Sequence, residues 1–271
     1  QRVCTDEAHL LEPTVANRFG PFARMLRGDG FRVVPFRSAI APRTLAGCDV
    51  LISANPQAKA PDSPDFWPYP HDSAFARAEI DALVTWIRGG GAFLLFADHA
   101  PGAGASAGLA AALGLQVFDG WARVNDRDDN PEIYARAAGL FAAHPILDGR
   151  SEAERVDVLS VTIAGAFFGS EQFQPLVAFG PEARGYVRLG DMGQQLPGIP
   201  EREWPRFLLS GWWLAATREW GAGRVAVFGD ATACTAQLYG PEREPLGMNH
   251  PEARHNARFC LNLVRWLARL R

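Results

Sequence analysis

Residues 92–97 read Ala-Phe-Leu-Leu-Phe-Ala, six apolar positions without a polar one among them, directly after three glycines at 89–91. A strand this uniformly apolar has no face to give to water, so it needs cover on both sides. The preceding segment supplies one source of cover. Ile80, Leu83, Val84 and Ile87 fall at i, i+3, i+4 and i+7, which predicts a helix with Ser73 as its cap and the glycines as its stop. Earlier in the chain, Phe19, Phe22, Met25 and Leu26 recur at helical spacing until Gly28-Asp29-Gly30, between strand-like runs at 3–8, 31–36 and 48–53. Strands alternating with helices predict a doubly wound, mostly parallel α/β sheet. From 119 to 220 the pattern loosens into Pro, Gly and aromatic residues, and short strands are expected at 156–161, 174–179, 185–189 and 212–219. These read as extra antiparallel strands and loops inserted in a single domain spanning 1–271. The run 224–229 returns to the buried-strand pattern, and Cys260, Leu263, Val264 and Leu267 give a closing helix.

Composition removes several function classes. With 271 residues, a formal net charge of −3 and no basic stripe, the chain is not organised around nucleic acid or an anionic membrane surface. Its apolar runs are strand-length, well short of the roughly 20 residues that span a bilayer. Cys4, Cys48, Cys234 and Cys260 form no C-x-x-C pair, which excludes a zinc knuckle or thioredoxin-like motif and leaves their pairing open. The chain starts at Gln1 rather than Met, from which a removed leader and a periplasmic or secreted location are expected.

In open α/β sheets ligands bind beyond the carboxyl ends of the strands. The residues at those ends here are polar: Asp6, Glu7 and His9 after the first strand, Asp98 and His99 after 92–97, and Asp230, Thr232, Cys234 and Thr235 after 224–229. Met248-Asn249-His250 precedes the last helix. Parallel strands with right-handed crossovers carry all these ends to one edge, which predicts a shared pocket. Glu7, Asp98, His99 and Asp230 are the candidate catalytic groups, and Asp6, Thr235, Asn249 and Trp121 the candidate ligand contacts. His9, His99 and His250 have the donor type that holds Zn²⁺ or another divalent ion and lowers the pKa of a bound water. The alternative is a metal-free carboxylate and imidazole acting as general acid and base. In the competing structural reading, Asp98 and Asp230 cap turns and His99 satisfies backbone groups.

Other motifs are weaker. Cys234 among Ala and Thr reads as a packing residue rather than a nucleophile. Asp126, Asp128 and Asn130 alternate like calcium ligands, but Pro131 stands where such a loop needs Gly. Gly102-Ala103-Gly104 lacks the Lys of a phosphate loop and reads as the start of a helix. Trp121, Trp204, Trp212, Trp213 and Trp220 divide between core and pocket lining.

Segments 22–33, 46–52, 80–98, 144–146 and 223–230 together resemble the class I glutamine-amidotransferase-like superfamily, in its trehalose-utilisation-like and gliding-associated-like branches. The resemblance implies a flavodoxin-like fold. Enzymes of that superfamily carry a Cys or Ser nucleophile in the turn after the strand equivalent to 92–97, and Glu7 sits where they place a neighbouring carboxylate. This chain has Ala97-Asp98-His99-Ala100-Pro101 there, and neither Asp98 nor His99 can form a thioester, which argues against glutaminase chemistry. The leading expectation is an extracytoplasmic hydrolase built on the Asp/Glu/His cluster. The alternative is a non-catalytic domain that binds a sugar or peptide.

Overall fold

The uniformly apolar run becomes β4 (Ala92–Phe96), the middle of a nine-stranded sheet in which all five of its residues are buried. The structure is a computed structural model and describes residues 1–9, 13–58, 70–124, 131–187 and 206–270. In chain order the elements are β1 (Arg2–Asp6), α1 (Gly20–Gly28), β2 (Arg32–Phe36), α2 (Pro42–Leu45), β3 (Val50–Ala54), α3 (Arg77–Arg88), β4, α4 (Gly102–Leu113), β5 (Leu115–Val117), β6 (Trp121–Arg123), β7 (Glu132–Ala135), α5 (Pro145–Asp148), β8 (Val158–Val161), β9 (Phe167–Gly169), β10 (Gln174–Ala178), β11 (Arg184–Tyr186), β12 (Arg206–Leu208), β13 (Trp213–Trp220), β14 (Gly223–Phe228), β15 (Ala236–Tyr239), β16 (Glu244–Gly247) and α6 (Asn256–Leu267).

The sheet order is β2-β1-β3-β4-β14-β13-β9-β5, with β10 also paired to β13. The first five strands of that order are parallel, and β13, β9, β10 and β5 extend the sheet in antiparallel pairs. This is the flavodoxin-like, mostly parallel architecture with additional antiparallel strands. The other described strands of 119–220 form small antiparallel sheets, β12-β11-β6 and β7-β8, and β15-β16 is a separate hairpin.

Alternation along β4 explains the need for cover on both faces. Leu94 and Phe96 pack with Phe22 and Leu26 of α1 and Phe259 and Leu263 of α6. Phe93 and Leu95 pack with Leu83 and Ile87 of α3 and Leu109 and Leu113 of α4. Each such side chain contributes about 1.5–3 kcal/mol by leaving water.

The cap of α3 differs from the expectation. Ser73 lies too far upstream and donates its hydroxyl to Phe75 O at 2.9 Å. The N-cap is Ala76, which has no acceptor of its own, and the Glu79 carboxylate takes the Ala76 N–H at 3.0 Å. Cys234 is likewise more than packing: disulfides join Cys4 to Cys48 and Cys234 to Cys260, leaving no free cysteine. The pattern Asp126, Asp128, Asn130 and the indole of Trp204 lie outside the described residues. Among the described residues no helix is long and apolar enough to cross a membrane.

Candidate functional site

Because β1, β3, β4 and β14 run parallel, their carboxyl ends share one edge, and Asp98 sits there two residues beyond β4. Its partner is the first residue past β3. Asn55 adopts φ +49°, a left-handed conformation that Asn tolerates better than most residues. From there its amide clasps Asp98 twice: Nδ2 donates to Asp98 Oδ2 at 2.7 Å, and Asp98 N–H donates to Asn55 Oδ1 at 2.9 Å. The other Asp98 oxygen accepts the Ala231 N–H, 2.6 Å away, from the turn after β14. That turn is set by Asp230, whose oxygens accept from Thr162 N–H at 2.8 Å and Thr232 N–H at 2.7 Å.

The two carboxyls differ in proton affinity. Burial raises Asp230 from 3.8 to about 6, against the backbone donors that favour its charge. Burial and then the Asp230 charge push Asp98 well above the ordinary carboxylate value, against its Asn55 and Ala231 bonds. Both carboxyls therefore hold a proton more tightly than an exposed aspartate does.

His99 is fixed differently. Its Nδ1–H donates to Ala100 O at 2.5 Å, so in a neutral ring Nε2 is the acceptor, and the ring stacks on Trp121 with centroids 5.6 Å apart and planes 14° from parallel. Asn55, Asp98, His99, Trp121, Thr232, Thr235 and Gln237 line a cavity of about 290 Å³, joined by Arg18, Gln57 and Gly102 at the start of α4. Thr235 Oγ1 donates to Thr232 O and accepts Gln237 Nε2–H, both at 2.8 Å.

The remaining candidates are not brought into this space. The Glu7 carboxylate accepts from Val15 N–H and Arg37 Nε, each at 3.0 Å, and so holds the loop that leads to Arg18. Buried Asp6 accepts from Ser53 Oγ at 2.8 Å and from His9 Nδ1 at 2.9 Å. His9 lies against Phe75 and reaches Glu79 Oε1 at 3.3 Å; burial works against its charge, but Asp6 and Glu79 outweigh it and raise its pKa. His250 closes a turn by accepting Glu252 N–H at 3.1 Å, and Asn249 donates to Gln237 O at 3.1 Å from the exposed side of the hairpin. The three imidazoles considered for zinc thus serve three different surroundings. Among the described residues no group of three His, Cys, Asp or Glu side chains is placed to hold a metal ion.

Four polar lining residues escape the sequence reading. Asn55 obeys the carboxyl-edge rule, but the strand read at 48–53 stops short of it. Arg18, Gln57 and Gln237 come from loops and a hairpin whose positions carry no periodic signal.

No protein-family model matches the chain, and no curated protein is similar to it in sequence. In structure it is similar to the mmIFT52 N-terminal domain, with a TM-score of 0.66 and 13% identity over 98% of this chain and 97% of that one. It is also similar to a cytoplasmic protein from Salmonella typhimurium LT2, with a TM-score of 0.52 and 12% identity over 98% of each chain. A ThuA-like protein from Bacteroides uniformis is a more distant neighbour, at a TM-score of 0.47 and 12% identity over 98% of this chain and 90% of that one. At such identities the likeness establishes the fold.

Proposed function

We propose that the chain is an enzyme that hydrolyses a small carbohydrate in the cavity at the carboxyl edge, with Asp98 as general acid and His99 as general base. The observation that carries this reading is the meeting of Asp98 and His99 in one cavity, the carboxyl with its proton affinity raised by burial and by Asp230, and the imidazole held by its Nδ1–H on Ala100 O. A carboxyl whose proton burial favours, beside an imidazole that can accept one, is suited to acid and base roles. In the proposed step the Asp98 proton goes to the leaving glycosidic oxygen as the anomeric C–O bond breaks. A water attacks the anomeric carbon, and Nε2 of His99 takes the proton it releases. Trp121 supports a sugar ring as ligand, since an indole offers an apolar face while the amides and hydroxyls around it serve the ring substituents.

A second reading, a binding domain without turnover, is favoured by one detail: both Asp98 oxygens already accept protein N–H groups. Turnover of nitrophenyl glycosides, alongside calorimetric titration with the parent sugars, separates the two. The enzyme reading expects hydrolysis by the wild type and a loss of about a hundredfold or more in His99→Ala, with a melting temperature within a few degrees. Binding without hydrolysis decides for the binding domain, and absence of both overturns the carbohydrate reading. We also propose an oxidising compartment for the protein, supported by its two disulfides and the absence of a free thiol.

A further inference from the structure

We propose that a second cavity, at the amino edge of the sheet, binds the phosphate monoester of a small polyol. The inference is independent of the carbohydrate reading, since this cavity lies at the opposite end of β14 from Asp230. It opens where Arg224, the second residue of β14, meets the last turn of α6 and the chain just after α5. Its volume of about 430 Å³ falls in the range of ligand pockets.

Four guanidinium groups line it, those of Arg150, Arg224, Arg265 and Arg269. Three of them are met by carboxylates. Arg265 pairs through Nε and Nη2 with Asp29, and its Nη1 donates to Glu154 Oε1 at 2.8 Å. Arg150 pairs with the same Glu154, Nε donating to Oε2 at 2.9 Å. Arg224 holds Glu219, with Nη2 2.7 Å from Oε1, and its Nη1 donates to Trp266 O. The fourth, Arg269, donates to Ala222 O and meets no carboxylate among the described residues. The four cations are thus matched by Asp29, Glu154 and Glu219, which leaves the cavity with a positive excess.

Arg269 also stands against local preference. Just past the end of α6 it takes φ +57°, the left-handed conformation that glycine ordinarily supplies at a helix end. Glycine would serve that turn with less strain, and the guanidinium is what the arginine adds. A second observation does not involve charge. Asn262 is buried and lines the cavity, and its amide N–H groups go to Ile146 O at 2.9 Å and Glu154 O at 3.0 Å. Those bonds identify the other end of the amide as the oxygen, and no described residue donates to it. A buried amide oxygen without a donor is costly, and a ligand hydroxyl would satisfy it.

The anion follows from the donors that remain. Asp29 and Glu154 already lie across the forks of Arg265 and Arg150, which is how a planar carboxylate is best held. What is left for a ligand is single N–H bonds from separate segments, together with the Arg269 guanidinium. A phosphoryl group suits that arrangement, because its three oxygens accept from several directions and carry a charge of about −1.5 to −2 at neutral pH. If the arginines served only to tie α6 to its neighbours, Asn262 would keep its oxygen without a donor and Arg269 would gain nothing over glycine.

Calorimetric titration of the intact protein with glycerol 3-phosphate tests the inference, with glycerate and inorganic phosphate as comparisons. Glycerol 3-phosphate should bind on the order of tenfold more tightly than glycerate, which replaces the phosphoryl group by a carboxylate, and than inorganic phosphate, which has no polyol. Arg269→Gly and Arg269→Gln should each weaken it about tenfold while the melting temperature stays within a few degrees. Arg43→Gln, at an exposed arginine of α2, should leave it unchanged. Absence of binding, binding that survives both Arg269 variants, or an equal loss in Arg43→Gln overturns the site. Glycerate binding as tightly overturns the phosphate assignment, and inorganic phosphate binding as tightly overturns the polyol. None of these outcomes touches Asp98 or His99, so the carbohydrate reading stands or falls separately.

Discussion

Asp98 and Asp230 are buried acids that the fold gathers at one strand edge, and their titration must be visible in stability. A carboxyl whose folded pKa is raised binds its proton more tightly folded than unfolded. Its contribution to stability is therefore full below the unfolded value of 3.8 and is lost as pH rises, for Asp230 through about 6. Asp98 acts in the same direction. Asp98→Asn removes its own burial-raised titration and the repulsion of Asp230, so its unfolding free energy should fall less steeply than that of the wild type between about pH 4 and pH 7. Denaturant titrations across that range decide the matter, and parallel curves for the two proteins would show that the Asp98 carboxyl is not raised in the folded protein. At this scale the sequence carries a partial signal. Asp98, His99, Trp121 and Thr235 are legible because each follows a strand or stands as a large aromatic in a loop-rich stretch. The commitments of His9 to Glu79 and of Glu7 to Arg37 are not, because residues 70 and 30 positions apart meet only once the sheet is assembled.

The turn chemistry at the site depends on how closely two backbones pass. Gly165 donates its N–H to Gly229 O at 2.8 Å, and a Cβ on Gly165 would stand 2.1 Å from Ala97 O and 2.5 Å from Asp98 O. A Cβ on Gly229 would stand 2.2 Å from Gly165 O. The chain between β8 and β9 thus crosses the ends of β4 and β14 at a distance that only glycine permits. Gly165→Ala should cost about 3 kcal/mol, read from the denaturant midpoint, and should weaken ligand binding by displacing Asp98. A variant of wild-type stability and affinity would mean that this crossing is loose. Elements with strong periodicity are readable from the sequence: β4 from its unbroken apolar run, α3 and α6 from their 3.6-residue spacing. The pairing of β13 between β14 and β9 is not, since a strand in a Pro- and Gly-rich stretch gives no sign of which edge it will join.

Across the whole molecule, the disulfides tie parts that the sheet alone leaves independent. Cys234, in the turn that gives Ala231 N–H to Asp98, is bonded to Cys260 of α6. Asn256 of the same helix donates to Ser160 O at 2.7 Å and to Ala233 O at 3.3 Å, so helix, turn and β8 form one clamp. The double substitution Cys234→Ala and Cys260→Ala opens a loop of 26 residues and should lower stability by about 3 kcal/mol. Loss of Asp98-dependent turnover at a temperature where the variant is still folded would show that the clamp also holds the site. The connectivity has a consequence of another kind. Cys4 pairs with Cys48 and Cys234 with Cys260, each cysteine with the next along the chain, so the two loops neither overlap nor enclose one another. An oxidase that joins thiols in the order in which they emerge, N-terminus first, makes the native pairs on its first pass. Maturation should then depend on an oxidising catalyst and be indifferent to a disulfide-shuffling one.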